Sequence, residues 1–373
     1  MTKKKLNNME YAILNYFLTR AFFIGITFSC LNRILKQDSW ITPLISIFIG
    51  LIMAYLVTYI INYKEKLCII DKIDNIFKTK FKYIIIFLII IIGIFYNIAN
   101  TTNLNNFIHT QFLNKTPILV ISILFMFVTL YILSKGINAI AKTTTIVFYI
   151  SIVLVLITFI GLIPKFQITN LKPSFQFDVN NLYQSLRFYY TFNITPIFLL
   201  TIIPKSDIKN PKIYKCISIS YFISTLSIFL SILLTMGIFG YELIDLYEYP
   251  EFQVLKQISL IGISSRIESV LVVQWLFDLF IYNVIIIYFV CNCLKKSIKK
   301  DLNINLIYLI YAILLTISLN IISRYNIYLE NFILKYAFKY ISLITICTII
   351  LICLKIKIKK VREQNYRQNS YYS

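Results

Sequence analysis

Apolar runs of about 20 residues follow one another along almost the whole chain, each long enough to cross a hydrocarbon core of about 30 Å as a helix. No water reaches backbone groups at that depth, so each run must satisfy its own N–H and C=O groups, and a helix does so. The runs read as spans at Tyr11–Leu31, Trp40–Asn62, Tyr83–Asn103, Thr116–Leu133, Thr143–Ile163, Leu182–Ile203, Tyr214–Gly240, Val270–Cys293, Leu302–Ile322 and Phe332–Leu354. The first is too long for a cleaved signal peptide, and no small-residue cleavage site precedes the next. Composition agrees. Of 373 residues 58% are hydrophobic and 14% charged, with mean hydropathy +0.76. A soluble domain carries about a quarter charged residues. The expected fold class is an all-α membrane protein with ten transmembrane helices.

A net charge of +21 would suggest nucleic acid for a soluble protein. Here the basic residues sit in alternate loops. With the N-terminus inside, the inner segments hold 25 of the 37 Lys+Arg and the outer segments 11, with Arg20 inside the first span. That asymmetry is the positive-inside pattern, and it predicts an even span count with both termini cytoplasmic. The expected partner of this charge is membrane lipid, with no nucleic acid. An A/T-rich coding sequence, which also enriches Ile, Asn and Tyr, is an equal contributor to the lysine surplus. The organisation expected is a cytoplasmic N-terminus (1–10), one membrane domain (11–354) and a basic cytoplasmic tail (355–373). Its halves are 11–163 and 182–354, and the outer loop 241–269 carries Glu242, Asp245, Glu248, Glu251 and Glu268. A short amphipathic stretch lies in that loop around Val254–Ile261.

Signals for catalysis are nearly absent. The single histidine, His109, falls in a short outer loop, and no phosphate loop, nucleophile–base set or paired carboxylates can be read. The seven cysteines lack zinc spacing and read as buried free thiols, so neither metal nor cofactor is expected. Polar and irregular features at membrane depth say more, because they are costly unless they line a cavity. The first span contains Gly25-Ile26-Thr27-Phe28-Ser29, and the sixth contains Thr191-Phe192-Asn193-Ile194-Thr195-Pro196. Pro196 removes a backbone donor and frees carbonyls near Phe192. Each alone reads equally as a helix contact or a proline kink. Together they open the two halves, and broken helices at matching places in two repeats point to a midplane ligand site. Asn97, Asn100 and Asn103 share one face of the third span and serve either an access path or interhelical packing.

Two charges lie deep in the spans. Arg20 is about 14–16 Å from the inner face and Asp278 about 12 Å from the outer one, at 1.5 Å per residue. They either pair, or Arg20 snorkels inward while Asp278 faces a wet vestibule.

Several segments carry a family resemblance: Asp38-Ser39-Trp40-Ile41, Asn114-Lys115-Thr116-Pro117-Ile118, Ile168-Thr169-Asn170-Leu171-Lys172-Pro173, and Arg266-Ile267-Glu268-Ser269 followed by Trp275 and Leu294-Lys295-Lys296. With them the chain resembles the B subunit of the endospore germinant receptor, in the spore germination permease family of the amino acid–polyamine–organocation superfamily. The resemblance implies a LeuT-like 5+5 inverted repeat with broken first and sixth helices. It also implies a sensor of a small germinant, commonly an amino acid, acting with A and C subunits in the spore inner membrane. The ligand residues expected on that plan are Gly25, Ile26, Thr27, Asn97, Asn100, Phe192, Asn193 and Thr195. Arg20, paired with Asp278, would stand where a relative of this fold holds a coupling sodium. Arg266 and Glu268 would form an outer gate or partner surface. Two departures stand out: Thr27 occupies the second glycine of a Gly-x-Gly, and Asn193-Ile194-Thr195-Pro196 replaces a Gly-rich or acidic break. An amino-acid secondary transporter of the same superfamily is the alternative. A polytopic lipid-modifying enzyme would need a histidine or acidic pair at an inner loop, and none is legible there.

Overall fold

The computed structural model describes residues 5–23, 25–77, 80–172, 175, 178–258, 267–298, 302–323 and 338–371. Among them the secondary structure is helical, with one isolated β-bridge between Leu6 and Ile208. The helices are α1 (Asn8–Arg20, extended by a 3-10 turn Ala21–Phe23), α2 (Thr27–Leu35), α3 (Ile41–Asn62), α4 (Ile69–Ile76), α5 (Phe81–Gln111), α6 (Ile118–Ser134) and α7 (Ile137–Leu162). They continue with α8 (Val179–Tyr189), α9 (Ile213–Ile244), α10 (Pro250–Leu255), α11 (Ile267–Leu271), α12 (Val273–Ile298), α13 (Ile304–Ser323) and α14 (Phe338–Tyr371).

Among the described residues seven helices are long and apolar enough to cross a membrane, and eight if α1 and α2, bent by 53° at their break, count as one. The protein is therefore an all-helical membrane protein. α6 is 17 residues long, and the region of the expected sixth span is α8 followed by a π turn (Tyr190–Ile194) and a 3-10 stretch (Thr195–Ile202). Apolar faces point outward: Leu124 and Phe127 on α6, Ile160 on α7 and Leu314 on α13 are exposed, as lipid contact requires. The polar residues turn inward instead.

α5 and α14 outrun their expected ends. α5 continues past Asn103 because Asn105 finds Ser122 Oγ on α6 at 2.7 Å, so its polar turn is satisfied. His109 thus lies in the last turn of a helix and not in a loop, with a ring nitrogen 3.0 Å from Thr116 O. α14 runs into the basic tail, where Lys and Arg favour helix.

α1 packs on α9 and α12, α5 on α12, and α3 on α9. These contacts bury Phe22, Tyr96, Phe192 and Tyr282 in an aromatic centre, with Phe22 ring centroids 4.8 Å from Phe192 and 5.0 Å from Tyr282. The end that the charge pattern makes inner is stitched by backbone. Leu6 N–H donates to Asp207 O at 2.9 Å and Lys209 N–H to Leu6 O at 2.8 Å, while Ser206 N–H reaches Glu65 O at 3.0 Å. Lys205 pairs with Glu65 at 2.5 Å. On the same end the buried Lys72 Nζ donates to Ile60 O and Ile61 O at 2.9 and 2.8 Å, tying α4 to the last turn of α3.

Candidate functional site

The first break is built on Gly25, whose φ of +73° lies in the left-handed region that a side chain disfavours. Ile26 stands at the N-cap of α2 with an apolar side chain, so no side-chain oxygen of its own caps that helix. The Gly25 amide donates instead to the carboxylate Oε1 of Glu251, 226 positions away on α10. A Cβ at Gly25 would stand 2.5 Å from the Tyr249 ring, so the outer loop rests directly on the break.

The second break follows from Pro196. Proline interrupts the α ladder, and the chain passes through a π turn into 3-10 geometry. The Thr191 carbonyl, freed in the π turn, accepts from Tyr96 OH at 2.8 Å and from Thr195 Oγ1 at 2.5 Å. Asn193 crosses to the first break: its Nδ2 donates to Thr19 O at 3.1 Å, and its Oδ1 accepts from Thr27 Oγ1 at 3.0 Å. Thr27, Asn193 and Thr195 are all buried. Two interruptions 166 positions apart in the sequence are therefore joined side chain to side chain. The Phe192 ring lies between Phe22 and Phe188, at 4.8 Å from each.

Asn97 and Asn100 turn elsewhere. Asn97 bonds to Asn283 and accepts from Tyr311 OH at 2.9 Å, while Asn100 Nδ2 donates to Leu279 O at 3.0 Å. Both amides thus tie α5 to α12, and Asn97 also to α13. Arg20 Nη1 stands 2.8 Å from Asp278 Oδ2, with exposures of 3% and 0%. The Tyr16 ring centroid is 5.7 Å from the guanidinium carbon, which adds a cation–π contact. Glu268 begins α11 and is half-buried; Arg266 lies outside the described residues.

Outward from the break lies a recess of about 110 Å³, bordered by Gly25, Ile26, Arg33, Asn103, Asn106 and Tyr249. α10 closes over it. Phe107 holds the lid, with ring centroids 4.9 Å from Tyr249, 5.6 Å from Phe252 and 6.3 Å from Trp275. Burial pushes the Glu251 carboxyl up to about 7, partly opposed by the Gly25 amide. Among the described residues no group of three or more His, Cys, Asp or Glu is placed to hold a metal. In the sequence Glu251 is one of five acids in the loop 241–269 and does not stand out from the others. Its local signal is Tyr249-Pro250-Glu251, a proline opening a helix just before an acid.

A profile described as "Spore germination protein" matches residues 12–326. The chain belongs to the spore germination protein family. It is 24% identical over 263 residues to Spore germination protein A2 of Bacillus subtilis (strain 168), covering 70% of this chain and 71% of that one. It is also 24% identical over 240 residues to Spore germination protein KB of the same organism, covering 62% of this chain and 63% of that relative. The stretch matched to the spore germination family takes in both breaks, the Arg20–Asp278 pair and Glu251, and ends before α14.

Proposed function

We propose that the chain is the B-type membrane subunit of a germinant receptor and senses a small nutrient, an amino acid, in a pocket between the two breaks. The observation that carries this reading is the Thr27–Asn193 hydrogen bond of 3.0 Å joining them. Amides at Gly25–Thr27 form a donor end suited to a carboxylate, and carbonyls at Phe192–Asn193 an acceptor end suited to an ammonium. Thr27, Asn193 and Thr195 supply specificity. The fold on this reading is the LeuT-like 5+5 repeat of 11–163 and 182–354. Its ten spans come from counting the seven long helices, the bent pair, α6 and the interrupted α8 segment. The Arg20 guanidinium supplies the charge a coupling sodium would otherwise bring, so the response is sodium-independent. A and C subunits complete the complex in the spore inner membrane, with both termini cytoplasmic.

The test is a germinant dose–response in spores carrying Thr27→Val, Asn193→Ala or Thr195→Val, with membrane abundance measured in parallel. Loss of one hydrogen bond of about 1 kcal/mol raises the half-maximal concentration roughly fivefold. Unchanged curves in all three variants would sink the pocket. Concentrative uptake of labelled amino acid into proteoliposomes would favour the transporter instead.

A further inference from the structure

Glu251 is 3% exposed, and its Oε2 has no hydrogen-bond partner among the described residues. The cavity it faces is lined by Thr158 of α7, Ser231 and Thr235 of α9, Gln274 of α12 and Arg20 of α1. Arg20 is the charged group among these, and it already stands 2.8 Å from Asp278. The guanidinium is thus taken by Asp278, and Glu251 holds its charge on the Gly25 amide at the uncapped start of α2. Isolated buried carboxylates are costly, so this contact is poised for exchange.

We propose that Glu251 is a tethered stand-in for a ligand carboxylate: it fills the Gly25 amide site while the outer loop is closed, and a zwitterionic amino acid enters by displacing it. The inference rests on the pocket reading above. A zwitterion fits this exchange better than a simple anion, because it brings its own ammonium and leaves no net charge buried. The recess of about 110 Å³ beside Gly25 and Tyr249 lies on the outer approach, with the exposed Arg33 at its rim. The Glu251 side chain, once released into outer water, regains hydration and leaves no ion pair behind.

Binding of radiolabelled amino acids to the full-length protein in liposomes tests this. The probes are the twenty common L-amino acids and the carboxamide of whichever binds most tightly. Glu251→Gln keeps the shape and removes the charge-assisted bond, so the half-saturating concentration falls about tenfold for the amino acid and by the same factor for its carboxamide, which must displace the same side chain. In the wild type the same concentration falls as pH drops through about 7, because a protonated Glu251 is the weaker competitor, and Glu251→Gln flattens that profile. Glu251→Asp, which keeps the charge but loses reach, shows a smaller gain and guards against a folding defect in the first variant. A half-saturating concentration of the amino acid that is unchanged or raised in Glu251→Gln overturns the inference. Binding weakened by Thr27→Val and Asn193→Ala with no gain from Glu251→Gln overturns the inference alone. No binding to wild type or variant overturns the amino-acid pocket together with it.

Discussion

Arg20 and Asp278 show how residue chemistry constrains a lipid-embedded chain. A charge on a span centre costs about 2.5–3.5 kcal/mol or more, and each of these two is bracketed by apolar sequence. At 2.8 Å the costs offset each other, and removing one partner strands the other. Breaking such a buried pair costs about 3–5 kcal/mol. Arg20→Ala and Asp278→Ala each therefore lower the amount of folded protein recovered from membranes, and Arg20→Asp with Asp278→Arg restores part of it. Immunoblots of membrane fractions check this, and absence of rescue in the double exchange removes the pair from the account. Depth arithmetic along the two spans makes these charges legible in sequence. Asn97 and Asn100 show the limit: a shared helical face reveals that the residues act together, but not that the neighbour is α12 rather than the break. Only packing decides that.

At the level of elements, long apolar helices are written plainly in hydropathy and the two interruptions in Gly25 and Pro196. The lid is not. α10 has 6 residues, too short for any period to emerge, and its contact with Gly25 spans 226 positions. Nor does periodicity mark where a polar helix stops, which is why α5 and α14 extend beyond their apolar runs. Gly25 links break and lid, since its left-handed φ costs about 1–2 kcal/mol with a side chain and a Cβ meets the Tyr249 ring at 2.5 Å. Gly25→Ala is expected to push the outer loop off the break and loosen the aromatic cluster of Phe107, Phe252 and Trp275. In a Trp40→Phe background, Trp275 emission shifts to the red and acrylamide quenching rises. An unchanged spectrum would mean that the lid does not rest on Gly25.

For the whole molecule, the two ends are closed by different means. The end at the loop 241–269 is closed by a short helix, aromatic edges and one carboxylate, and the end at the N-terminus, inner on the proposed reading, by backbone hydrogen bonds from Leu6 to Asp207 and Lys209 and by the Lys205–Glu65 pair. Leu6 and Ile208 are both buried and bridged, so Leu6→Cys with Ile208→Cys places two thiols across a parallel pairing. A sensor that works from its outer side keeps its dose–response after oxidation to the disulfide, whereas a transporter that must open inward loses flux. Germination curves with and without reductant separate these outcomes, and a response abolished by oxidation and recovered by reductant would show that inner opening is needed.

The inner stitching also bears on what such a protein can measure. A chamber with two doors settles to a level set by both compartments, so its filling reports a gradient and is blurred by whatever is stored behind it. A chamber with one door has a single rate in and a single rate out, and its filling follows the outside concentration alone. On the sensor reading proposed above, an end kept tied from Leu6 to Lys209 makes the signal blind to the cell's own reserves, as a gauge of external supply has to be.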